Sequence, residues 1–451
     1  MGNNFLKNRY RLFKNSTIID AAGTRKADIL IDPEGRIVKI SQHIDISNHI
    51  EPQAMLDTVD LNGNIVVTPF VDMHCHLRYP GSISESLMSG SRAAVKGGFE
   101  YLLAMPNTEP CSDNKKVIED VKSVISSTET YGVNIGLAGS LTVGRNGREL
   151  TDIEELAEYG VRYFTDDGSG LQDAKLMKQA VEILENSECI IGQHLESISN
   201  SLDGVMNLGD TSTKLGLKGI DRTWEIEMLE RDLSILKSKN TRYHAMHISV
   251  KESAEIVHKS KVSGINITCE VTPHHLFFDE TELLSLNPNF KVNPPLRCLN
   301  DVLYLRKKLN EIIDVIATDH APHRSVKKEL PIEEAPFGML GLQSSFAAVF
   351  TALTQAKRPR ELLGCLDILS IIVEKMSLNP RRILNLGGLE IEEGKLANFV
   401  VINPLKTICQ TVSDIESDSI NSPYLNKELL GEVGIVVLNG DFKVDDGKIV
   451  T

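Results

Sequence analysis

The chain has 451 residues, 41% of them hydrophobic and 24% charged. That is enough for a large core and, at roughly 100–200 residues per domain, for one large unit with a smaller one beside it. With 48 basic against 62 acidic side chains the net charge is −14, which disfavours general binding of nucleic acid or anionic lipid. No apolar run approaches the ~18–20 residues of a membrane helix.

The stretch Met1 to Tyr10 is polar and basic with no apolar segment behind it, so no secretory signal is expected. Gly2 is followed by Leu6 where a myristoylation signal carries Ser or Thr. Seven cysteines (positions 75, 111, 189, 269, 298, 365 and 409) are odd in number and lack CxxC spacing. They form neither a disulfide framework nor a zinc finger. A soluble cytoplasmic protein is the expectation.

In chain order, residues 15–65 alternate in short strand-like pieces, Thr17–Asp20, Ala27–Ile31 and Ile37–Ile40, punctuated by Gly and Asn. Eight short apolar runs follow: Asn64–His74, Phe99–Met105, Val133–Gly139, Val161–Thr165, Cys189–His194, Arg242–His247, Asn266–Thr272 and Ile312–Thr318. Between them lie charged segments with apolar residues at helical spacing, such as Asn114–Ser127, Ala174–Asn186, Asp221–Ser238 and Lys251–Lys261. Strands alternating with helices predict parallel βα units, and eight of them close a (β/α)8 barrel of the TIM type, an α/β fold. An open doubly wound sheet is the alternative, but its first βα turn often carries a Gly-rich phosphate loop, and none is found here. Residues 387–451 return to short strands, Ala397–Ile402, Gly434–Leu438 and Lys448–Thr451. The expected division is a β-sandwich built from 1–65 and 386–451, with a barrel of 66–385 inserted between its halves.

His and Asp concentrate where the predicted strands end. His74 and His76 end the first, Asp166 and Asp167 the fourth, His194 the fifth, His247 the sixth and Asp319 the eighth. In a barrel, active sites sit at the carboxyl ends of the strands. His74 and His76 are two apart, so on extended chain both imidazoles point the same way. Four neutral imidazoles with one or two carboxylates suit zinc or another borderline divalent ion. A lone histidine such as His43, His49 or His258 reads as a surface or satisfied residue, and an isolated HxH is more often structural. Five strand ends each delivering a ligand-type residue reverse that balance.

Six runs carry a resemblance: Asp72-Met-His-Cys-His-Leu-Arg78, Met105-Pro-Asn-Thr108, Phe164-Thr-Asp-Asp-Gly168, Val271-Thr-Pro-His-His275, Asn293-Pro-Pro-Leu-Arg297 and Ala317-Thr-Asp-His-Ala-Pro-His323. In that order they resemble the dihydroorotase family, one of the cyclic amidohydrolases of the metal-dependent hydrolase superfamily. The resemblance implies reversible interconversion of N-carbamoyl-L-aspartate and L-dihydroorotate, a step of pyrimidine synthesis, with two zinc ions per subunit. Carried over by position, His74, His76 and Asp319 hold one zinc and His194 and His247 the second, with a fourth-strand carboxylate bridging them. Many cyclic amidohydrolases use a carboxylated Lys as that bridge. The Phe164–Gly168 turn has no Lys, only Asp166 and Asp167, as in the Asp-bridged branch. Adjacent strand residues face opposite ways, so one of the pair binds metal. Spacing to His194 in related sequences favours Asp167, leaving Asp166 to cap the following turn or hold a ligand histidine.

Hydrolysing an unstrained cyclic amide near neutral pH needs a strong nucleophile and a polarised carbonyl, both of which zinc supplies. Asp319 is placed to take the water's proton and return it to the ring nitrogen, or acts as a ligand only. Arg78, two residues beyond His76, should lie at the same mouth and can grip a carboxylate bidentately. The resemblance adds Asn107 and His323 as carboxylate partners, Asn293 as a ring contact, and a Pro336–Gly341 loop presenting Phe337 and Gly338 to the ring. His274 and His275 are read as non-ligands, and Cys75 and His320 as facing away from the metals. Tyr79, where many relatives carry Glu, and His194-Leu-Glu in place of His-Cys-Glu-Asp are departures that spare every ligand.

The nearest enzyme alternatives, dihydropyrimidinase, hydantoinase and allantoinase, share barrel and metals. The missing bridging Lys, Arg78, Asn107 and the Asn293–Arg297 run argue against them. A non-catalytic scaffold for aspartate transcarbamoylase would be expected to lose ligands, and here every ligand position is filled. The resemblance implies a homodimer and leaves association with a transcarbamoylase open.

Overall fold

The computed structural model describes residues 9–51, 53–197, 204–355 and 362–450. The amino-terminal strands are β1 (Arg9–Asp20), β2 (Gly23–Ile31), β3 (Ile37–Ser41), β4 (Met55–Asp60) and β5 (Ile65–Val67). The run Asn64–His74, read from the sequence as one strand, is two: β5 belongs to the terminal sheet and β6 (Phe70–Cys75) to the barrel. Pro69 is the cause, since it has no N–H to give a ladder. Its carbonyl accepts from Ser377 Oγ and Arg381 Nη2, both at 2.8 Å, which clamps the junction.

From β6 the chain alternates strand and helix. β7 (Phe99–Ala104), β8 (Asn134–Leu137), β9 (Tyr163–Phe164) and β10 (Ile190–Gln193) follow, then a small extra pair, β11 (Met206–Asn207) and β12 (Gly219–Ile220). β13 (Arg242–Ala245), β14 (Ile267–Val271) and β15 (Val315–Ile316) complete the set. β6, β7 and β8 pair in parallel, as do β9, β10, β13, β14 and β15. Parallel bridges Gly139↔Phe164 and Cys75↔His320 join the two sheets at both ends, so eight strands close into a barrel. One apolar cluster takes Met73, Leu103, Ala138, Tyr163, Ile190, Met246 and Val315 from strands all round the ring. Only the barrel interior can bring them together, so this is a packed core rather than a pore.

The helices lie where charged segments with helical spacing separate the strands. Lys115–Ser127 starts at Asn114, whose side chain accepts from Val117 N at 3.1 Å, and buries Ile118 and Val121. Asp173 caps Ala174–Ile183 in the same way. The β11–β12 excursion is pinned by the fully buried Arg297, which donates to Asn207 Oδ1 at 2.9 Å and to the Ile220 carbonyl at 3.1 Å.

The chain ends in β16 (Phe399–Cys409), β17 (Glu428–Leu438), β18 (Asp441–Asp445) and β19 (Lys448–Ile449); Thr451, the end of the last expected strand, lies outside the described residues. Both ends share one sheet of order β19-β18-β17-β16-β5-β1-β2-β3, with β4 on β1. Phe13 on β1 meets Phe399 on β16 at 5.3 Å and Phe442 on β18 at 5.8 Å between ring centroids. β1 and β18 are not neighbours in that order, so the sheet must curl over its own apolar core.

Candidate metal centre

The closing seam of the barrel builds the site. Asp319 N donates to the His74 carbonyl at 2.9 Å and His76 N to the His320 carbonyl at 2.8 Å, which sets the end of β15 beside the end of β6. His76 Nε2 then lies 2.9 Å from Asp319 Oδ1, and His74 Nε2 3.5 Å from it. Asp167, in the turn after β9, points its carboxylate into the middle. Oδ1 is 3.4 Å from His74 Nε2, 3.6 Å from His194 Nδ1 and 3.8 Å from His247 Nε2, and Oδ2 is 3.5 Å from His76 Nε2. His194 Nδ1 and His247 Nε2 face each other at 2.8 Å. Asp166 turns the other way, accepting from Leu141 N at 2.9 Å, Thr142 N at 3.0 Å and the Thr142 hydroxyl.

Hydrogen bonding at the far side of the His74, His76 and His194 rings decides which nitrogen of each faces inward. Glu270 can only accept, so at 2.6 Å it takes the Nδ1 proton of His74 and leaves Nε2, which is buried without a hydrogen bond, as a bare lone pair. Asn107 Oδ1 likewise takes the Nδ1 proton of His76 at 2.9 Å, its amide being oriented by the 3.4 Å bond from Nδ2 to Asp167 Oδ2. Glu196 Oε2 lies 3.4 Å from Nε2 of His194, which leaves Nδ1 inward. Imidazole lone pairs and two carboxylates thus converge in a water-poor spot and repel unless a cation sits among them. Among the described residues two groups are compact enough to hold an ion, His74 with His76 and Asp319, and His74 with Asp167 and His247. The donor set of imidazoles and carboxylates fits a divalent metal.

Electrostatics agree with this geometry. Protons take the cation's place when no metal is bound: burial alone would raise the carboxyls of Asp167 and Asp319, but protonated imidazoles, His74 first, outweigh it and hold both well below the usual range, while against burial Asp167 raises His74 and His194 in turn. His247, Asp319 and Arg78 adopt left-handed backbone, with φ of 30°, 47° and 56°. Each costs roughly 1–2 kcal/mol for an L-residue, a strain that packing imposes where side chains must be aimed.

A cavity of about 220 Å³ opens over the cluster, lined by His76, Asp167, His194, His247 and Asp319 and by the expected Arg78, Asn107, Asn293, His323, Phe337 and Gly338. Arg78 Nε donates to the Pro322 carbonyl at 3.3 Å, and its Nη2 lies 3.4 Å from His323 Nε2. Asn293 Nδ2 donates to Glu196 Oε2 at 2.8 Å. His323 Nε2 donates to the Phe337 carbonyl at 2.7 Å, and Gly338 N to the Lys291 carbonyl at 2.9 Å, so those loop groups reach the cavity already hydrogen-bonded. Burial and then Arg78 push His323 down to about 3, so it is neutral. His274 and His275 follow β14 but take no place among the converging atoms. His275 bonds Thr272 and the Pro294 carbonyl, and burial pushes His274 down to about 4. Buried Cys75 lies 3.5 Å from the Leu103 carbonyl, and His320 bonds Glu85 at 3.1 Å.

Four acids that the sequence reading passed over support this arrangement. Glu270 bridges His74, His244 and the His247 amide. Asp72 accepts from His74 N and Thr318 N, tying β6 to the seam. Glu85 holds His320, and Glu196 holds His194 and Asn293. For Asp72 and Glu270 a signal was present: each is an acid inside an otherwise apolar strand, a position that demands partners.

The fold is that of the barrel amidohydrolases. It superposes on an L-hydantoinase (dihydropyrimidinase) from Arthrobacter aurescens with a TM-score of 0.79, covering 98% of this chain and 97% of that one at 20% identity. A dihydropyrimidinase from Brevibacillus agri gives 0.79 over 98% and 96% at 18% identity. In sequence, residues 63–253 match the family described as dihydro-orotase-like. Proteins named dihydroorotase from Elusimicrobium minutum and Caldanaerobacter subterraneus subsp. tengcongensis are each 36% identical, over 97% of this chain and 98% of theirs. The chain belongs to the dihydroorotase family.

Proposed function

We propose that this chain is a dihydroorotase, opening and closing the cyclic amide between L-dihydroorotate and N-carbamoyl-L-aspartate in pyrimidine synthesis. One observation carries the reading: Arg78 shares a single small cavity with the His/Asp cluster, so a ring bearing a carboxylate can be held by its charge while its amide faces the cluster. Zinc, two ions per subunit, is the proposed occupant, held by His74, His76 and Asp319 and by His194 and His247, with Asp167 between. Bound there, the ions would supply Lewis acidity at the amide carbonyl and make water a nucleophile near neutral pH.

The protein's own part follows from its geometry. Arg78 clamps the substrate carboxylate, a charge-assisted contact, with Asn107 and His323 beside it. Asn293 and the Phe337–Gly338 turn close over the ring. Asp319 takes one proton from the attacking water and delivers it to the ring nitrogen as the C–N bond breaks; the hydroxyl stays on the former carbonyl carbon. Ring closure runs the same steps backwards.

The deciding assay sets L-dihydroorotate beside dihydrouracil, hydantoin and allantoin, before and after chelation and zinc return. Zinc-dependent turnover of dihydroorotate alone is expected. Turnover of an uncharged ring instead would overturn the substrate, and none with zinc fully loaded would favour a scaffold role. Among the described residues no helix is long and apolar enough to cross a membrane, and all seven cysteines are free, which supports action in the reducing cytoplasm. A homodimer and association with aspartate transcarbamoylase belong to the same proposal, and light scattering with and without the transcarbamoylase tests both.

A further inference from the structure

One cation beside the cavity has no bonded partner among the described residues, although it lies near enough to the Asp166 carboxyl to lower it against burial. Arg145 lies in the loop after β8. In a chain with 62 acidic residues its half-buried side chain makes no ion pair and no hydrogen bond among the described residues, and its Nε is buried and unsatisfied. Guanidinium groups that leave bulk water normally find an acid. The loop is also held against its backbone preference: Gly144 and Arg145 are both left-handed, with φ of 59° and 55°. It is fastened to the site by Asp166, whose carboxylate grips Leu141 N, Thr142 N and the Thr142 hydroxyl, and by Asp113, which accepts from Gly144 N at 2.8 Å.

The guanidinium sits at the rim. A methyl group built on the exposed cavity-lining Gly168 would stand 3.6 Å from Arg145 Nη2 and 3.6 Å from Asn107 Nδ2. Gly168, left-handed at φ 84°, thus stands between Arg145 and Asn107 of the cavity wall. Arg145 is also close enough to Arg78 for the two charges to repel: burial first, and then Arg145, lowers the Arg78 guanidinium, against the pull of Asp319 and Asp167.

We propose that Arg145 is a second anion-binding residue of this pocket, which draws the substrate carboxylate to the rim beside Gly168 and passes it to Arg78. The proposal rests on the dihydroorotase reading for the identity of the anion. Physically it answers a difficulty: an anionic substrate must approach a protein of net charge −14 whose cavity wall includes Asp167 and Asp319. A fixed positive charge at the mouth raises the encounter rate and is screened by salt. Asp166, next in sequence to the central Asp167, is on this account a positioning residue that holds the Arg145 loop.

The test compares zinc-loaded wild type, Arg145→Gln and Arg145→Lys in both reaction directions. Ionic strengths of about 10 mM and about 1 M are used, between which the Debye length falls from ~30 Å to ~3 Å. Arg145→Gln is expected to lower kcat/KM by about 3- to 10-fold at low salt while kcat stays close to wild type. The loss must be equal in both directions, because an enzyme cannot shift the equilibrium. It should shrink at high salt, and Arg145→Lys should restore much of it. An unchanged kcat/KM at low salt, or a loss indifferent to salt and to the Lys variant, overturns the proposal. Calorimetric binding of N-carbamoyl-L-aspartate separates the two claims. If wild type turns over no dihydroorotate, the functional reading fails alone, and salt-sensitive weakening of this dianion by Arg145→Gln still supports Arg145, while equal affinity overturns it.

Discussion

Glu270 offers the sharpest test of how the second layer of the site works. Its buried carboxylate accepts from His74 Nδ1 at 2.6 Å, His247 N at 3.1 Å and His244 Nε2 at 3.1 Å. Glu270→Ala orphans three donors in a spot closed to water, each worth roughly 1–3 kcal/mol when left unsatisfied. Removing a buried carboxylate recovers part of its desolvation cost, so the expected net loss is about 3–5 kcal/mol. Glu270→Gln behaves differently. Its oxygen can still take the His74 and His247 protons, which both go to Oε1 in wild type. Its amide can donate to His244 Nε2 once His244 carries its proton on Nδ1, from which it donates to Thr268 Oγ1, 2.7 Å away. Stability should then fall by no more than about 1 kcal/mol. The negative charge behind His74 is gone, however, and zinc affinity should drop about 10- to 100-fold. Urea unfolding of the metal-free protein and zinc competition with a chromogenic chelator measure the two effects. A Glu270→Ala loss under ~1 kcal/mol, or a Glu270→Gln protein that holds zinc like wild type, would refute this account.

Three further outcomes are expected. Asp319→Asn should cut kcat by at least about 10²-fold with an unchanged far-UV circular dichroism spectrum, and near-normal turnover would remove its proton role. Arg78→Ala should raise KM for dihydroorotate about 10- to 100-fold, the worth of one or two charge-assisted hydrogen bonds; an unaltered KM contradicts the clamp. Lys328 sits behind the Pro336–Gly338 turn, its Nζ donating to the Pro288 and Pro336 carbonyls at 2.7 and 2.9 Å, and burial and then Lys291 push it down to about 7. An unfolded Lys titrates near 10.4. Between those values the folded chain binds fewer protons, so stability should rise with pH from about 7 to about 10, by at most ~1.4 kcal/mol per unit from this group. Lys328→Met should flatten that rise in denaturant titrations, and parallel wild-type and variant profiles would exclude it.

The strands were legible because apolar runs and their breakers are local properties. The candidate ligands stood out because His and Asp at the ends of such runs are out of place in a core. The resemblance in the runs from Asp72 to His323 supplied roles that no spacing could. Pro69, by contrast, interrupts a run that is apolar on both sides of it, so apolar content alone shows one strand where the fold has two in different sheets.

What sequence alone determined, then, is the local menu: where backbone extends, where it coils, and which side chains of ligand type stand at the ends of strands. Only the closed barrel decided which of them meet. His76 and Asp319 are 243 residues apart, and they touch because the Cys75↔His320 bridge joins the last strand to the first. The choice between Asp166 and Asp167 had the same origin, since the Leu141–Thr142 backbone claims one carboxylate and the imidazoles surround the other. Glu270 found its three partners on two other chain segments, the end of β6 and the end of β13. Hydrogen bonds and charges act over a few ångströms of space, whatever the distance along the chain, so pairings of this kind exist only once the fold has closed.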